Sequence, residues 1–469
     1  MENICPVEKN RDYIMRIDDI GNDGEGIGKI EGFTVFVKDA LPQEKVSVKI
    51  VKVKKNFAYG RLMEIIEPSE NRVQPKCEVY KRCGGCSLQH LSYEAQLDFK
   101  TKKVYDALTR IGDFKNPTVE RAVGMDNPFY YRNKAQFPVG KDKNGVKIGF
   151  FAPRSHDIVD VEECIIQNKI NRQINDIIRC FITEEGIEPY DESTGRGLLR
   201  HIVTRVGFVT GEVLVCLVVN GRKIPSSEKL VKKLRDIKGV KGIVLNVNTK
   251  KTNVILGDEI IVLWGQDFIT DYIGNVKFEV SIKSFYQVNP LQTRVLYEKA
   301  LELAGLSGDE NVLDLYCGIG TISLFLAQKA KNVIGIEIVE QAVKDAERNA
   351  EINGFKNARF IAGSAEEVIP DIYKNGFKPD LIVVDPPRKG CDSVVIDTIV
   401  KMSPQKVVYV SCDPSTLARD LKILCERGYK FDKVHVVDQF CHSTHVETVV
   451  LLSKLNAKQH IEVELNLDE

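Results

Sequence analysis

Cys412 is the residue whose type and position most clearly indicate chemistry. It lies between an apolar run that ends at Ser411 and a helical segment that opens with Asp413-Pro414. Aspartate is a favoured helix N-cap and proline suits the first helical position. Because the N-terminal end of a helix favours a thiolate over a thiol, this cysteine is predicted to be ionised. At the carboxyl edge of a sheet, where α/β proteins bind ligands, it is a candidate nucleophile.

A second polar segment, residues 438–448, follows a predicted strand. It contains His442, His445 and Glu447, whose side chains can accept a proton. The segment is therefore predicted to supply a general base near the same edge.

Residues 314–321 carry a Gly-x-Gly turn between a predicted strand and a predicted helix, and Glu337 ends the next strand. Glycines let the backbone approach a ligand closely, and an acid about 20 residues later can accept hydrogen bonds from ribose hydroxyls. The third glycine of the dinucleotide fingerprint is missing, so a pyrophosphate is not predicted. An adenosine ligand without phosphates fits better, and S-adenosylmethionine is the common one. Asp385, stiffened by the two prolines that follow it, ends another strand and is predicted to anchor a donor group of substrate or cofactor.

Three cysteines, Cys77, Cys83 and Cys86, fall within ten residues, and Cys164 is the nearest later cysteine. In a reduced protein such a cluster indicates a metal. Four thiolates suit either zinc or a [4Fe–4S] cluster. Since the chain has one short Cys-x2-Cys pair where zinc knuckles have two, the spacing favours iron–sulfur over zinc without deciding between them.

The composition is that of a folded, multidomain protein. The chain has 469 residues, 43% hydrophobic and 28% charged, with 66 basic and 66 acidic side chains. These values exclude a wholly disordered chain and a repeat fibre, and the length suggests about three domains. No apolar run reaches the ~18 residues of a membrane helix. Residues 1–10 lack a signal-peptide core, so we expect a cytoplasmic protein with reduced cysteines.

Charge is distributed unevenly along the chain. Residues 51–150 hold 19 basic and 11 acidic side chains, whereas residues 301–400 hold 10 and 16. A basic first half beside a more acidic second half favours contact of the first half with a polyanion.

The pattern of apolar residues divides the chain into three regions. Residues 8–66 alternate apolar and basic residues between glycine turns, which predicts a small antiparallel β-barrel with valines inside and lysines outside over 45–55. Residues 67–285 form a mixed α+β region that opens with the cysteine cluster. Residues 286–455 alternate short apolar strands with helices, which predicts a doubly wound parallel sheet whose last two strands form an antiparallel hairpin. The polar tail, Asn456 to Glu469, carries no clear pattern.

Together these motifs resemble one family, the S-adenosylmethionine-dependent RNA uracil-C5 methyltransferases, which include bacterial 23S ribosomal RNA enzymes and a related tRNA enzyme. The resemblance covers almost the whole chain. It implies an α/β multidomain fold with a TRAM (OB-like) RNA-binding barrel, an iron–sulfur-bearing central domain and a C-terminal Rossmann-like class I methyltransferase domain. By the same match, Cys412 is the nucleophile and Glu447 the general base. The residues that would contact S-adenosylmethionine are Gln287, Tyr316, Glu337 and Asp385, and those that would hold the [4Fe–4S] cluster are Cys77, Cys83, Cys86 and Cys164.

The resemblance also implies a substrate and a mechanism. Because the tRNA enzymes generally lack both the barrel and the cluster cysteines, 23S ribosomal RNA is the expected partner. The Cys412 thiolate would add to C6 of uracil, and Glu447 would later remove the C5 proton. The target base must leave its helix to react, and Phe285, Tyr286 or Phe440 would stack on it. The chain departs from the family at Cys441, where proline is common.

Other functions are compatible with parts of the pattern. An amino-group methyltransferase is one, because Asp-Pro-Pro resembles loops that hold a target nitrogen. A tRNA enzyme is another, and a non-enzymatic RNA-binding protein that keeps a silent cofactor fold is a third. A radical enzyme is disfavoured, since Cys77 and Cys83 have five residues between them, more than the usual radical motif allows.

Overall fold

A computed structural model describes residues 5–455 of the chain; the first four residues and the tail from Asn456 lie outside the described residues. In the described part, the strands form a closed barrel, a seven-stranded sheet, a two-stranded hairpin and an eight-stranded sheet. None of the helices within 5–455 combines the length and apolar character needed to cross a membrane.

The N-terminal strands close into a barrel in the order β1-β2-β3-β5-β4. The predicted barrel is confirmed, although β3 and β5 pair in parallel. Val46, Val48 and Ile50 are fully buried, as the alternation predicts. The alternation then breaks, because the register with β5 shifts after Ile50 and leaves Val51 42% exposed. The strands are β1 (Asp12–Ile20), β2 (Gly26–Ile30), β3 (Phe33–Lys38), β4 (Lys45–Val53) and β5 (Phe57–Glu67).

The seven-stranded sheet has the order β13-β12-β11-β10-β7-β8-β9. Strands β10 and β11 are buried along their whole length because both faces are covered. One face packs on helices α2 and α3, and the other packs toward the C-terminal domain. The elements are β7 (Lys134–Asp142), β8 (Gly145–Phe151), β9 (Ile158–Asp160), α2 (Ile170–Glu184), β10 (Leu199–Val206), β11 (Val213–Val219), α3 (Ser227–Arg235), β12 (Val240–Val247) and β13 (Glu259–Gly265), followed by the hairpin β14 (Phe268–Ile273) and β15 (Val276–Ser281).

Two elements from the predicted central region pack instead with the C-terminal sheet. Helix α1 (Tyr93–Arg110) buries Leu97, Val104 and Leu108 in the core of that sheet. Strand β6 (Thr118–Val119) forms one edge of that sheet and pairs in parallel with β21 (Tyr429–Val437). An amphipathic helix shows in the sequence that it covers a core, but not which core.

The C-terminal sheet has the order β18-β17-β16-β19-β20-β22-β21-β6. Strands β16 to β20 pair in parallel and β22 runs antiparallel between β20 and β21, which confirms the predicted doubly wound sheet with a final hairpin. The elements are α4 (Pro290–Ala304), β16 (Asn311–Leu315), α5 (Thr321–Ala327), β17 (Asn332–Glu337), α6 (Glu340–Ile352), β18 (Ala358–Ala362), α7 (Ala365–Lys374), β19 (Leu381–Val384), α8 (Ser393–Met402), β20 (Lys406–Ser411), α9 (Pro414–Glu426), β21 (Tyr429–Val437) and β22 (Glu447–Lys454).

Candidate active site

Cys412 lies in the short turn between β20 and α9, as its sequence context predicts. The side chain of Asp413 caps the helix by accepting hydrogen bonds from the backbone amides of Ser415, at 2.8 Å, and Thr416, at 3.2 Å. Cys412 is half-buried at the carboxyl edge of the parallel strands. The turn therefore presents its sulfur where this fold class binds ligands.

The charge state of Cys412 differs from the sequence expectation. Burial and the carboxyl groups of Glu447 and Asp385 raise the pKa of Cys412 to about 12, while the charge of Arg388 acts in the opposite direction. The helix N-terminus alone would lower this pKa. Burial and the two nearby acids together outweigh this effect, so the resting form of Cys412 is a thiol.

Glu447 and Asp385 are two acids beside that thiol, close enough for the charge of one to affect the other. Glu447 is 2% exposed, and within residues 5–455 its Oε2 has no hydrogen-bond partner. Burial and the charge of Asp385 raise the pKa of Glu447 well above its usual range, and burial raises that of Asp385 to about 7. Like charges in a shared buried site cannot both ionise easily, so the pair retains a proton near neutral pH.

Glu337 ends β17, and backbone amides from the glycine turn and from the residues after the strand orient its side chain. Its two carboxylate oxygens accept hydrogen bonds from the amides of Gly318, at 3.0 Å, and Val339, at 2.9 Å. Gly318 has a φ of +56° and nothing within 4 Å of the position a Cβ would take, so the turn leaves open space beside the acid. Ile338 and Val339 are 68% and 54% exposed. These exposed apolar side chains were missed in the sequence, where they continue an ordinary apolar strand.

Asp314 and Tyr316 lie at the end of β16. Asp314 is fully buried and accepts a hydrogen bond from the hydroxyl of Ser323. Burial and the charges of Asp385 and Glu337 raise the pKa of Asp314 to about 7. Tyr316 has a φ of +67°, and its buried hydroxyl has no partner in the described part of the chain. Asp314 opens the motif of residues 314–321, but no role was predicted for its side chain, although an acid inside an apolar strand is a usable signal of a functional site.

The segment that contains Gln287 joins the two large sheets. The side-chain amide of Asn133 donates to the backbone oxygen of Gln287 at 2.9 Å.

The three aromatic residues predicted to stack on the target base differ in exposure: Phe285 is 70% exposed, whereas Tyr286 is 4% exposed within the core. Phe440 is half-buried, with its ring centroid 5.9 Å from that of His445. Phe285 is thus the most accessible of the three.

The four predicted cluster ligands line one cavity of about 230 Å³, together with Gln89, Arg132 and apolar side chains. All four are free thiols. No three Cys, His, Asp or Glu side chains within residues 5–455 are arranged to hold a single metal ion. The four cysteines line the cavity without forming such a group. These four predicted ligands are Cys77, Cys83, Cys86 and Cys164.

Known proteins are similar to this chain over nearly its whole length. The profile of the tRNA (Uracil-5-)-methyltransferase family matches residues 92–455, and that of the TRAM domain matches residues 7–63. A Clostridium tetani protein described as an uncharacterized RNA methyltransferase is 52% identical over 98% of this chain and 100% of its own. A similarly described protein of Halalkalibacterium halodurans is 50% identical over 96% of this chain and 99% of its own.

Among solved structures, the Pyrococcus abyssi tRNA (uracil-54, C5)-methyltransferase, in complex with S-adenosyl-L-homocysteine, is 31% identical. It covers 94% of this chain and 100% of its own, with a TM-score of 0.77. The family resemblance read from the motifs is confirmed. The chain therefore belongs to the tRNA (uracil-5-)-methyltransferase family of RNA methyltransferases and carries an N-terminal TRAM domain.

Proposed function

We propose that this protein transfers a methyl group from S-adenosylmethionine to C5 of a uridine in RNA, through a transient bond between Cys412 and C6 of the base. The observation that carries the proposal is the meeting of Cys412, Glu447 and Asp385 at one sheet edge, where the two acids change the pKa of the thiol. The Pyrococcus relative, named for methylating C5 of a uracil, supports the same reaction.

The proposed mechanism follows from the weak nucleophilicity of C5. Cys412 passes its proton to solvent as it attacks. The proton shared by the acid pair lies on Asp385 in the reactive form, so Glu447 is a carboxylate that can later act as a base. The Sγ–C6 bond forms, and the electron pair of C5=C6 becomes an enolate that is nucleophilic at C5. S-adenosylmethionine supplies the electrophilic methyl group. Glu447 then takes the C5 proton, the C–H electrons restore C5=C6, and the C6–S bond breaks with its electrons returning to Cys412.

S-adenosylmethionine would lie along the edge formed by β16, β17 and β19. Glu337 would accept hydrogen bonds from the ribose, and the open space at Gly318 would admit the ligand. The exposed Ile338 and Val339 are suited to cover the adenine ring. Gln287, Tyr316 and Asp385 are the other proposed contacts, as the family resemblance implies.

The cavity lined by four thiols would hold a [4Fe–4S] cluster. Its ligands come from residues 77–86 and from Cys164, which are far apart in the chain, so the cluster would crosslink two segments of the fold. Its proposed role is structural. Cys77→Ser is expected to lower the iron content and the visible absorbance of the purified protein. Cys425→Ser, a half-buried cysteine on α9, is the matched control and should leave both unchanged.

We propose 23S ribosomal RNA as the substrate, on the joint presence of the barrel and the cysteines. tRNA is the second candidate substrate, because the similar Pyrococcus protein is named as a tRNA methyltransferase. The match to that enzyme covers 94% of this chain, so it must include at least part of the barrel. Mass-spectrometric mapping of 5-methyluridine in both RNA classes from a deletion strain separates the two.

RNA containing 5-fluorouridine tests the chemistry, because fluorine at C5 cannot leave as a proton and the covalent intermediate is trapped. Wild-type protein with S-adenosylmethionine is expected to form this adduct, and Cys412→Ala to form none and to lose turnover. Cys425→Ala is the matched control and should behave as wild type. Normal turnover by Cys412→Ala would favour an amino-group methyltransferase, for which the Asp-Pro-Pro loop is the supporting feature.

A further inference from the structure

Residues 438–446 connect β21 to β22 and lead directly into Glu447. We propose that this segment, the 438–446 loop, is a positioning element that holds Glu447 at the C5 proton, and that Lys100 and the segment following Cys86 anchor it. The inference rests on the proposed function and adds residues that touch neither RNA nor S-adenosylmethionine.

The first anchor is a buried ion pair between Lys100 of α1 and Asp438, the first residue of the loop. Neither side chain is exposed. The Lys100 ammonium also donates to the backbone oxygen of Phe440 at 2.9 Å, and the Tyr93 hydroxyl donates to Asp438 Oδ2 at 2.7 Å. Burying two charges costs free energy unless both are fully hydrogen-bonded, and removing one partner leaves the other as an unpaired buried charge. The geometry of the loop therefore depends on Lys100.

The second anchor comes from the cysteine cavity. The amides of Ser87 and Leu88, the two residues after Cys86, donate to the backbone oxygen of His442 at 2.9 and 3.0 Å. The side chain of Gln96 accepts from the amide of His442 at 3.1 Å. The backbone oxygen of His442 is thus held by the two residues that follow Cys86, and its amide is held by Gln96 of α1.

Packing reinforces this connection. Cys441 is 1% exposed and packs in one apolar cluster with Tyr131, Cys86 and Cys164. The Tyr131 hydroxyl donates to the backbone oxygen of Cys441 at 3.0 Å. Two of the four cavity ligands therefore contact the same cluster as the loop. A displacement of either ligand would change the support of the loop, and with it the position of Glu447.

The opposite side of the loop is tied to α4, which follows the Gln287 segment. The Gln439 amide donates to the Thr293 hydroxyl at 2.8 Å, and the Asn289 amide donates to the backbone oxygen of Gln439 at 3.2 Å. The loop is thus fixed between the cysteine cavity and the segment proposed to contact S-adenosylmethionine. This arrangement serves the last step of the reaction, because Glu447 must meet a proton on a base already bonded to Cys412.

A loosened loop should slow proton removal more than the earlier steps. Misplacing a catalytic group by about 1 Å can cost 10²-fold in rate. We therefore expect Lys100→Met to lower turnover by about 10- to 100-fold. The methylated RNA should remain bonded to Cys412 and accumulate. A variant that is merely destabilised would lose turnover without accumulating this adduct.

The test uses the full-length, iron-loaded protein with RNA substrate and S-adenosylmethionine, and measures the covalent adduct by denaturing gel and mass spectrometry. Lys100→Met is expected to accumulate methylated adduct with unchanged iron content. Tyr93→Phe, a milder change at the same ion pair, should accumulate less, and it keeps the test available if Lys100→Met does not fold. Arg72→Met breaks the ion pair between Arg72, in the segment after β5, and Glu44 of the barrel domain; it is the matched control and is expected to show no adduct.

Two results would overturn the inference. In the first, folded Lys100→Met and Tyr93→Phe turn over more slowly but accumulate no adduct. In the second, Arg72→Met accumulates as much adduct as Lys100→Met. Glu447→Gln separates this failure from failure of the proposed function. If Glu447→Gln accumulates adduct while the anchoring variants do not, the positioning role alone is wrong. If Glu447→Gln forms none and wild type is not trapped by 5-fluorouridine RNA, the covalent mechanism itself is wrong.

Discussion

Ser411 and Thr448 face each other in the antiparallel ladder of β20 and β22, and the Thr448 hydroxyl donates to the backbone oxygen of Ser411 at 3.0 Å. Cys412 directly follows Ser411 at the end of β20, and Glu447 directly precedes Thr448 at the start of β22. This register brings the two together from distant parts of the chain. It explains why the charge on Glu447 raises the pKa of Cys412.

Glu447→Gln should block the final step and leave the earlier ones intact. The amide keeps the shape of the side chain but cannot take the C5 proton, so we expect turnover to fall by about 10²- to 10⁴-fold. Methylated RNA bonded to Cys412 should be seen on denaturing gels. Glu426→Gln, at the end of α9, is the matched control and should retain full turnover. An active Glu447→Gln protein would assign the base to another residue.

The reactivity of Cys412 toward iodoacetamide should rise throughout the range from about pH 7 to pH 10. Because its pKa is raised to about 12, the thiolate fraction grows about tenfold per pH unit without levelling off. Removing the Glu447 charge lowers this pKa, so Glu447→Gln should be alkylated faster at the upper end of the range. Peptide mass spectrometry follows each cysteine separately, with the exposed Cys180 confirming that the reagent is active. A plateau near neutral pH would contradict the assigned environment.

Phe285→Ala should weaken RNA use without affecting S-adenosylmethionine. Phe285 is 70% exposed, and stacking of one base on an aromatic side chain contributes about 1–3 kcal/mol. We expect KM for RNA to rise about 5- to 150-fold, as this energy implies. Binding of S-adenosylhomocysteine, measured by calorimetry, should not change. Leu291→Ala removes another exposed apolar side chain nearby in the sequence, 56% exposed, and is expected to leave both constants unchanged.

Asp413→Ala should destabilise the C-terminal domain by about 0.5–2 kcal/mol, because it removes the cap of α9. Asp413→Asn keeps a side-chain oxygen at the cap and should retain most of that stability. Urea unfolding of both variants checks the difference. Equal stability of the alanine and asparagine variants would show that the cap contributes nothing.

The sequence by itself determined the barrel, the alternating strands and helices, and the turn that carries Cys412, because these depend on local periodicity and capping. It also determined the family, because the nucleophile motif is long and specific. Only the tertiary structure decided that α1 packs on the C-terminal sheet, that Phe285 rather than Tyr286 is exposed, and that the thiol has a raised pKa. The reason is physical: the pKa of Cys412 depends on its burial and on acids from distant parts of the chain, and strand register is a property of the whole sheet.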